Sequence, residues 1–309
     1  MRRLGAALLS ALIASTGLLS ASPAATASPD TWGSKVRLEP RAVSVGGLRT
    51  SYAVLGADSP MPLLLLNGTG SPMSQWDPAL LESLSRDRRV VVYDYPGIGG
   101  SAPLPGRLTF EGLAAHAAGL LTALDLPRAD VLGWSMGGFV AQRLAVRSPD
   151  RVHALVLAGT NPGGPMAVLG PGWVQEEDSD ARGTARGYVR ANYPAGERHR
   201  GWAFVRRVNA AIDSGRYPAD RVPTAAYDAM VAAEDPWLAS GANLRQLRTL
   251  AIPVLVITGA KDVVTPPVNS RIIARAVPGA VLSLVPDAGH SFLFQEPRAT
   301  AGRIASFLP

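Results

Sequence analysis

From residue 41 onward the chain alternates between two hydrophobic patterns. Short apolar runs recur: PLLLLN at 62–67, RVVVYDY at 89–95, ADVLGWS at 129–135, RVHALVLAG at 151–159, IPVLVITG at 252–259 and AVLSLVP at 280–286. Their length and β-branched content predict buried strands. Between and after them, apolar residues fall at three- and four-residue spacing over 74–86, 108–125, 136–149, 267–277 and 297–308, which predicts helices. RAVSVGGLRTSYAVLG at 41–56 alternates in strand fashion around Gly46-Gly47 and predicts a hairpin. Continuous apolar strands separated by helices point to a mostly parallel sheet with helices on both faces.

The alternation breaks over residues 161–250. This stretch is polar, punctuated by Pro and Gly, helical in pattern, and carries Trp173, Tyr188, Trp202, Phe204, Tyr227 and Trp237. It is too long for a connecting loop, and it reads as an inserted helical cap. The expected organisation is a leader over 1–27, a first core part over 28–160, the cap over 161–250 and a second core part over 251–309.

The leader has its own pattern. Arg2 and Arg3 precede an apolar stretch from Leu4 to Leu19, and small residues follow, ending in Ala25-Thr26-Ala27. That order of basic, apolar and small-residue regions is the order of a secretory signal. Cleavage is expected after Ala27, giving a secreted, extracytoplasmic protein. The apolar run is short for a membrane span, so no stable membrane anchor is expected after cleavage.

Composition narrows the chemistry. The sequence contains no cysteine, which excludes disulfides, zinc–thiolate sites and a cysteine nucleophile. The net charge of +6 is scattered arginine, with no basic stripe interleaved with aromatics, so no nucleic-acid partner is expected. The one basic concentration, Arg198, His199, Arg200, Arg206 and Arg207, has the ordinary reading of a solvated helix face, with an anion site as the alternative.

Candidate chemistry centres on VLGWSMGGFVAQRLAV at 131–146. Ser135 stands where a predicted strand ends and a helix begins, with Gly133, Gly137 and Gly138 around it. G-x-S-x-G is weak by itself, but the strand before it and the helix after it supply the context of a nucleophile elbow. Glycines remove the Cβ atoms that would collide where strand and helix fold back on each other. A serine hydroxyl needs a base. Four histidines are available. His116 lies within a helix, His153 begins a strand at the wrong end of the sheet, and His199 sits among arginines. His290, in PDAGHSFLFQEP at 286–297, follows the last predicted strand at its carboxyl end. The acid that orients it is expected to be Asp262, in TGAKDVVTPP at 258–267, also on a carboxyl-end loop. Asp287 is the runner-up, too close in sequence to approach the ring of His290 from behind. The chain order Ser135, Asp262, His290 is that of one hydrolase fold.

With these motifs in hand, the chain resembles the α/β-hydrolase superfamily over roughly residues 40–309, in particular its capped members: esterases, cofactor-free haloperoxidase-like enzymes and carbon–carbon bond hydrolases. The resemblance is carried by GWSMGG (133–138), GAKDVVTP (259–266), AGHSFLFQEP (288–297) and DYPGIGGS (94–101). It implies an eight-stranded, mostly parallel sheet, catalytic roles for Ser135, Asp262 and His290, and a structural role for Asp94 beside the elbow. The oxyanion donors are expected to be the backbone N–H groups of Met136 and Thr69. The family usually carries histidine–glycine before the second donor, where this chain has Asn67-Gly68. Trp134 is a candidate for the acyl side of the substrate site.

The expected reaction is hydrolysis of esters of small or medium apolar acyl groups through an acyl-enzyme on Ser135, with activity falling below about pH 6 as the base protonates. No metal or organic cofactor is needed for it. Carbon–carbon, amide or peptide hydrolysis and perhydrolysis use the same triad. A non-catalytic binding protein is the alternative of another class, and it would be expected to have lost one of the three residues. The sequence is silent on oligomeric state.

Overall fold

The computed structural model describes residues 35–174 and 184–309. The leader expected over 1–27 and part of the expected cap lie outside the described residues. Eight strands form one sheet: β1 (Arg41–Val45), β2 (Leu48–Leu55), β3 (Leu63–Leu66), β4 (Val90–Tyr93), β5 (Ala129–Trp134), β6 (Val152–Ala158), β7 (Val254–Gly259) and β8 (Val281–Val285). Their spatial order is β1-β2-β4-β3-β5-β6-β7-β8. β2 runs antiparallel to both of its neighbours, and every pair from β4 to β8 is parallel. The β1–β2 hairpin turns at Gly46 and Gly47, both at positive φ, the backbone that a tight hairpin demands.

The sheet separates two cores. Along β3, Leu64 and Leu66 face one apolar cluster while Leu63 and Leu65 face the other. Strand side chains alternate between faces, so a strand covered on both sides must be apolar throughout. The first face is covered by α2 (Phe110–Ala123), α3 (Met136–Arg147) and, further along the chain, α9 (Pro267–Ala276), and the second by α1 (Pro78–Leu84) and α11 (Pro297–Phe307). The helix expected over 74–86 begins only at Pro78. Asp77 caps it, accepting from the N–H groups of Ala79 and Leu80, and residues Met73–Gln75 before it form a separate 3-10 turn.

Between β6 and β7 the described residues hold five helices: α4 (Ala185–Asn192), α5 (Arg198–Asp213), α6 (Thr224–Ala232), α7 (Glu234–Ala239) and α8 (Ala242–Leu247). This helical cap is bonded to the core at several points. Phe204 stacks on Phe294 at 4.7 Å between ring centroids. Arg207 forms an ion pair with Asp77, and Asn243 Nδ2 donates to Gln142 Oε1 at 2.8 Å. Among the described residues no helix is long and apolar enough to cross a membrane.

Candidate active site

Ser135 lies between the carboxyl end of β5 and the first turn of α3, at φ 56° and ψ −123°. That is a strained conformation for a residue with a side chain, held here by its surroundings. Its N–H donates to Ala158 O and its carbonyl accepts from Gly138 N–H, both at 2.9 Å. The glycines around it are required by packing. A Cβ on Gly133 would lie 2.3 Å from Gly137 O, one on Gly137 2.1 Å from Leu66 O, and one on Gly138 2.4 Å from Thr160.

His290 follows β8, and Asp262 follows β7. The imidazole Nδ1 and Asp262 Oδ2 are 2.8 Å apart, with side-chain exposures of 2% and 0%. Asp262 is itself fixed, because its Oδ1 accepts from the N–H groups of Val264 at 2.9 Å and Thr265 at 2.8 Å. With Nδ1–H donating to the carboxylate, Nε2 remains as the basic nitrogen. Asp287, the runner-up acid, turns outward and pairs with Lys261 Nζ at 2.6 Å. The other histidines are engaged elsewhere or exposed. His116 Nε2 is 2.9 Å from Thr50 Oγ1, where burial lowers its pKa, and His153 Nδ1 is 2.8 Å from Asp130 Oδ1. His199 is exposed.

Ser135 and His290 line one cavity of about 40 Å³, together with Gly68, Thr69, Ser71, Gln75, Trp134, Tyr188, Asn192 and Tyr227. No hydrogen bond joins Ser135 to His290 in this arrangement; such bonds commonly tighten only around substrate. Trp134 is buried, and its Nε1 donates to His290 O at 3.2 Å, so it holds the histidine loop as well as lining the cavity. A larger cavity of about 590 Å³ lies between α5 and α11, lined in part by His199, Arg200, Arg206 and Arg207. It contains none of Ser135, Asp262 and His290. Arg207 there is committed to Asp77, and Arg200 to Glu197 and Glu296.

The loop after β3 approaches Ser135 closely, since a Cβ on Gly68 would come within 3.4 Å of Ser135 Cβ. Asn67, which replaces the family's histidine, braces this loop at both ends. Its Oδ1 accepts from Gly68 N–H at 3.0 Å, and its Nδ2 donates to Pro72 O at 2.9 Å. Thr69 lines the cavity, and Met136 begins α3, where the first helical N–H groups have no partner within the helix. Of the two residues expected to supply oxyanion donors, Thr69 thus shares the cavity with Ser135 and Met136 follows Ser135 directly in the chain. Asp94, at the end of β4, accepts from Met73 N–H at 2.8 Å and Gly100 N–H at 3.1 Å, tying the two glycine loops together.

Gln75, Tyr188, Asn192 and Tyr227 complete the cavity and went unnamed as site residues at the level of sequence. Tyr188 Oη is 2.6 Å from Ser291 Oγ, next to His290. No short-range pattern marks a contact between residues 103 positions apart. Of the six cap aromatics, Tyr188 and Tyr227 reach the cavity; Phe204 and Trp237 belong to the cores, and Trp173 and Trp202 are exposed.

A family profile described as "alpha/beta hydrolase fold" matches residues 61–297. The poly(3-hydroxyalkanoate) depolymerase of Ectopseudomonas oleovorans is 31% identical over 260 residues, covering 80% of this chain and 84% of that protein. The 2-hydroxymuconate semialdehyde hydrolase of Pseudomonas sp. (strain CF600) is 30% identical over 279 residues, covering 87% of this chain and 93% of that protein. The crystal structure of a hydrolase from Pseudomonas aeruginosa PA01 superposes with a TM-score of 0.69 at 31% identity, covering 87% of this chain and 97% of that one. With its eight-stranded sheet, serine elbow and histidine–aspartate pair, the chain belongs to the α/β-hydrolase family and is a hydrolase.

Proposed function

We propose that this protein is an exported serine hydrolase that cleaves esters of small or medium acyl groups through an acyl-enzyme on Ser135. The observation that carries the reading is the serine at positive φ sharing a cavity with a histidine whose Nδ1 is fixed by a buried aspartate. His290 Nε2 removes the Ser135 proton as Oγ attacks the ester carbonyl. The oxyanion that forms is held by the N–H groups of Met136 and Thr69. Collapse of the tetrahedral adduct expels the alcohol, which takes the proton from His290. Water, deprotonated by the same Nε2, then releases the acid. Asp262 orients the ring throughout.

Carbon–carbon hydrolysis is the second reading, favoured by the likeness to a 2-hydroxymuconate semialdehyde hydrolase. The likeness to a poly(3-hydroxyalkanoate) depolymerase supports the ester reading. Export rests on the pattern of residues 1–27, and the amino terminus of secreted protein is expected at Ser28.

The test compares the chain from Ser28 with its Ser135→Ala variant on p-nitrophenyl esters of increasing acyl length at pH 8. Turnover should vanish in the variant and, in the parent, fall away below about pH 6. Equal turnover in both proteins would remove Ser135 from the mechanism.

A further inference from the structure

Several polar side chains line the cavity around Ser135 without a part in the triad mechanism. Gln75 is 8% exposed and lines the cavity beside Ser135. Its side-chain amide makes no hydrogen bond to any described residue. Its neighbours in the lining differ. The Tyr188 hydroxyl is bound to Ser291, the Asn192 amide donates to Tyr188 O at 3.1 Å, and the Thr69 hydroxyl to Glu234 at 3.5 Å.

The position of Gln75 is imposed from both sides. Its N–H closes the 3-10 turn onto Pro72 O at 3.0 Å, the turn's first residue is held by Asp94, and Asp77 caps the helix that follows. The backbone of Gln75 is therefore fixed at the cavity wall, and its amide has no bond to a described residue. An amide at the wall of the cavity that contains Ser135, with no such bond, is available to a polar atom of whatever enters. A carboxamide carries two donors and one acceptor with no charge. It can bind a hydroxyl or a carbonyl oxygen, and it does not select an ion.

We propose that Gln75 is a specificity-determining residue whose amide hydrogen-bonds a hydroxyl or carbonyl oxygen on the acyl chain, so that the preferred substrates are esters of small oxygenated acids. The inference rests on the esterase reading of the same site. It also replaces the apolar acyl group expected of the substrate. The acyl side is assigned because the acid stays on Ser135 after the first step while the alcohol departs.

The experiment measures kcat/KM on two matched pairs of p-nitrophenyl esters: 3-hydroxybutyrate against butyrate, and 2-hydroxypropionate against propionate. The parent chain is compared with Gln75→Met, which keeps length and removes the amide, and with Gln75→Asn, which keeps the amide and withdraws it. Dividing the hydroxy-to-alkyl ratio of the parent by that of a variant cancels the intrinsic reactivity of the esters. At least one pair should give a quotient of about tenfold or more for Gln75→Met, with Gln75→Asn between the two. A quotient near one in both pairs overturns the inference, as does an equal loss on both members of each pair, which is what disturbed packing alone would produce. If Gln75→Met does not fold, the Gln75→Asn quotient decides. A parent chain that cleaves none of the four esters and takes up no fluorophosphonate at Ser135 overturns the esterase reading itself, so the two failures are told apart.

Discussion

Asp94 is a carboxyl group in an unusual situation, buried at the end of β4 with the carboxylate of Asp220 nearby. Burial first, and the like charge of Asp220 second, push its pKa up to about 7 from an ordinary value near 3.8. The native state therefore holds a proton that the unfolded chain has already released between about pH 4 and pH 7. Stability from this group is fully present below about pH 4, falls as pH rises towards 7, and is level above it. Asp94→Asn mimics the protonated form and titrates nothing. The stability of the parent relative to Asp94→Asn, from urea unfolding at intervals between pH 4 and 8, should decline across that window by a few kcal/mol in order of magnitude. A pH-independent difference would show that Asp94 ionises normally. At this scale the grouping of Ser135, His290 and Asp262 was legible because each has a positional signature: an elbow of glycines, a histidine after the last strand, an aspartate after the strand before it. Gln75 has none. Its significance lies in an unpartnered amide facing a cavity, which exists only once the chain is folded.

Elements were legible where one pattern fills them. β3 and β4 are apolar on both faces, and both were read from that run alone. The elements that differed from expectation did so for local reasons. Asp77-Pro78 starts α1 four residues late, and α10 (Phe292–Gln295), after His290, is too short to show a helical period. The glycines of the elbow give a test at this scale. A methyl on Gly137 would meet a backbone oxygen of β3, and that strand cannot recede because Leu66 is paired with Gly133. Gly137→Ala should cost about 2–3 kcal/mol, lowering Tm by about 5–10 °C. Gly302 lies in α11 with open space around it. There the same substitution removes backbone entropy from the unfolded chain without a clash, and Gly302→Ala should raise stability by about 0.5–1 kcal/mol. Calorimetry of both variants checks the opposite signs. If Gly137→Ala were as stabilising as Gly302→Ala, packing at the elbow would not be what demands glycine.

For the whole molecule, what the sequence could not convey is how the cap is seated. Its helical character and position between β6 and β7 follow from composition and length. Its attachment depends on residues far apart in the chain, and the basic cluster of α5, read as one solvated face, is in fact divided. Arg206 is exposed, whereas Arg207 turns inward. The Arg207 Nη2 lies 2.6 Å from Asp77 Oδ2 and donates to Phe294 O at 3.0 Å. Side-chain exposures of 12% and 0% make this an ion pair largely out of water, joining the cap to α1 and to the segment after His290. Removing one member of such a pair strands the other charge, which costs more than the pair contributes. Arg207→Met should therefore lose about 3–5 kcal/mol. Asp77→Asn keeps an oxygen to cap α1, so adding it to Arg207→Met removes the stranded charge while leaving the helix start intact. The double variant should be more stable than Arg207→Met alone by about 1–3 kcal/mol. Urea unfolding of the two single variants and the double gives the coupling directly. Losses that simply add would mean that the cap is held by its apolar contacts, Phe204 on Phe294 foremost, with Asp77 and Arg207 acting independently.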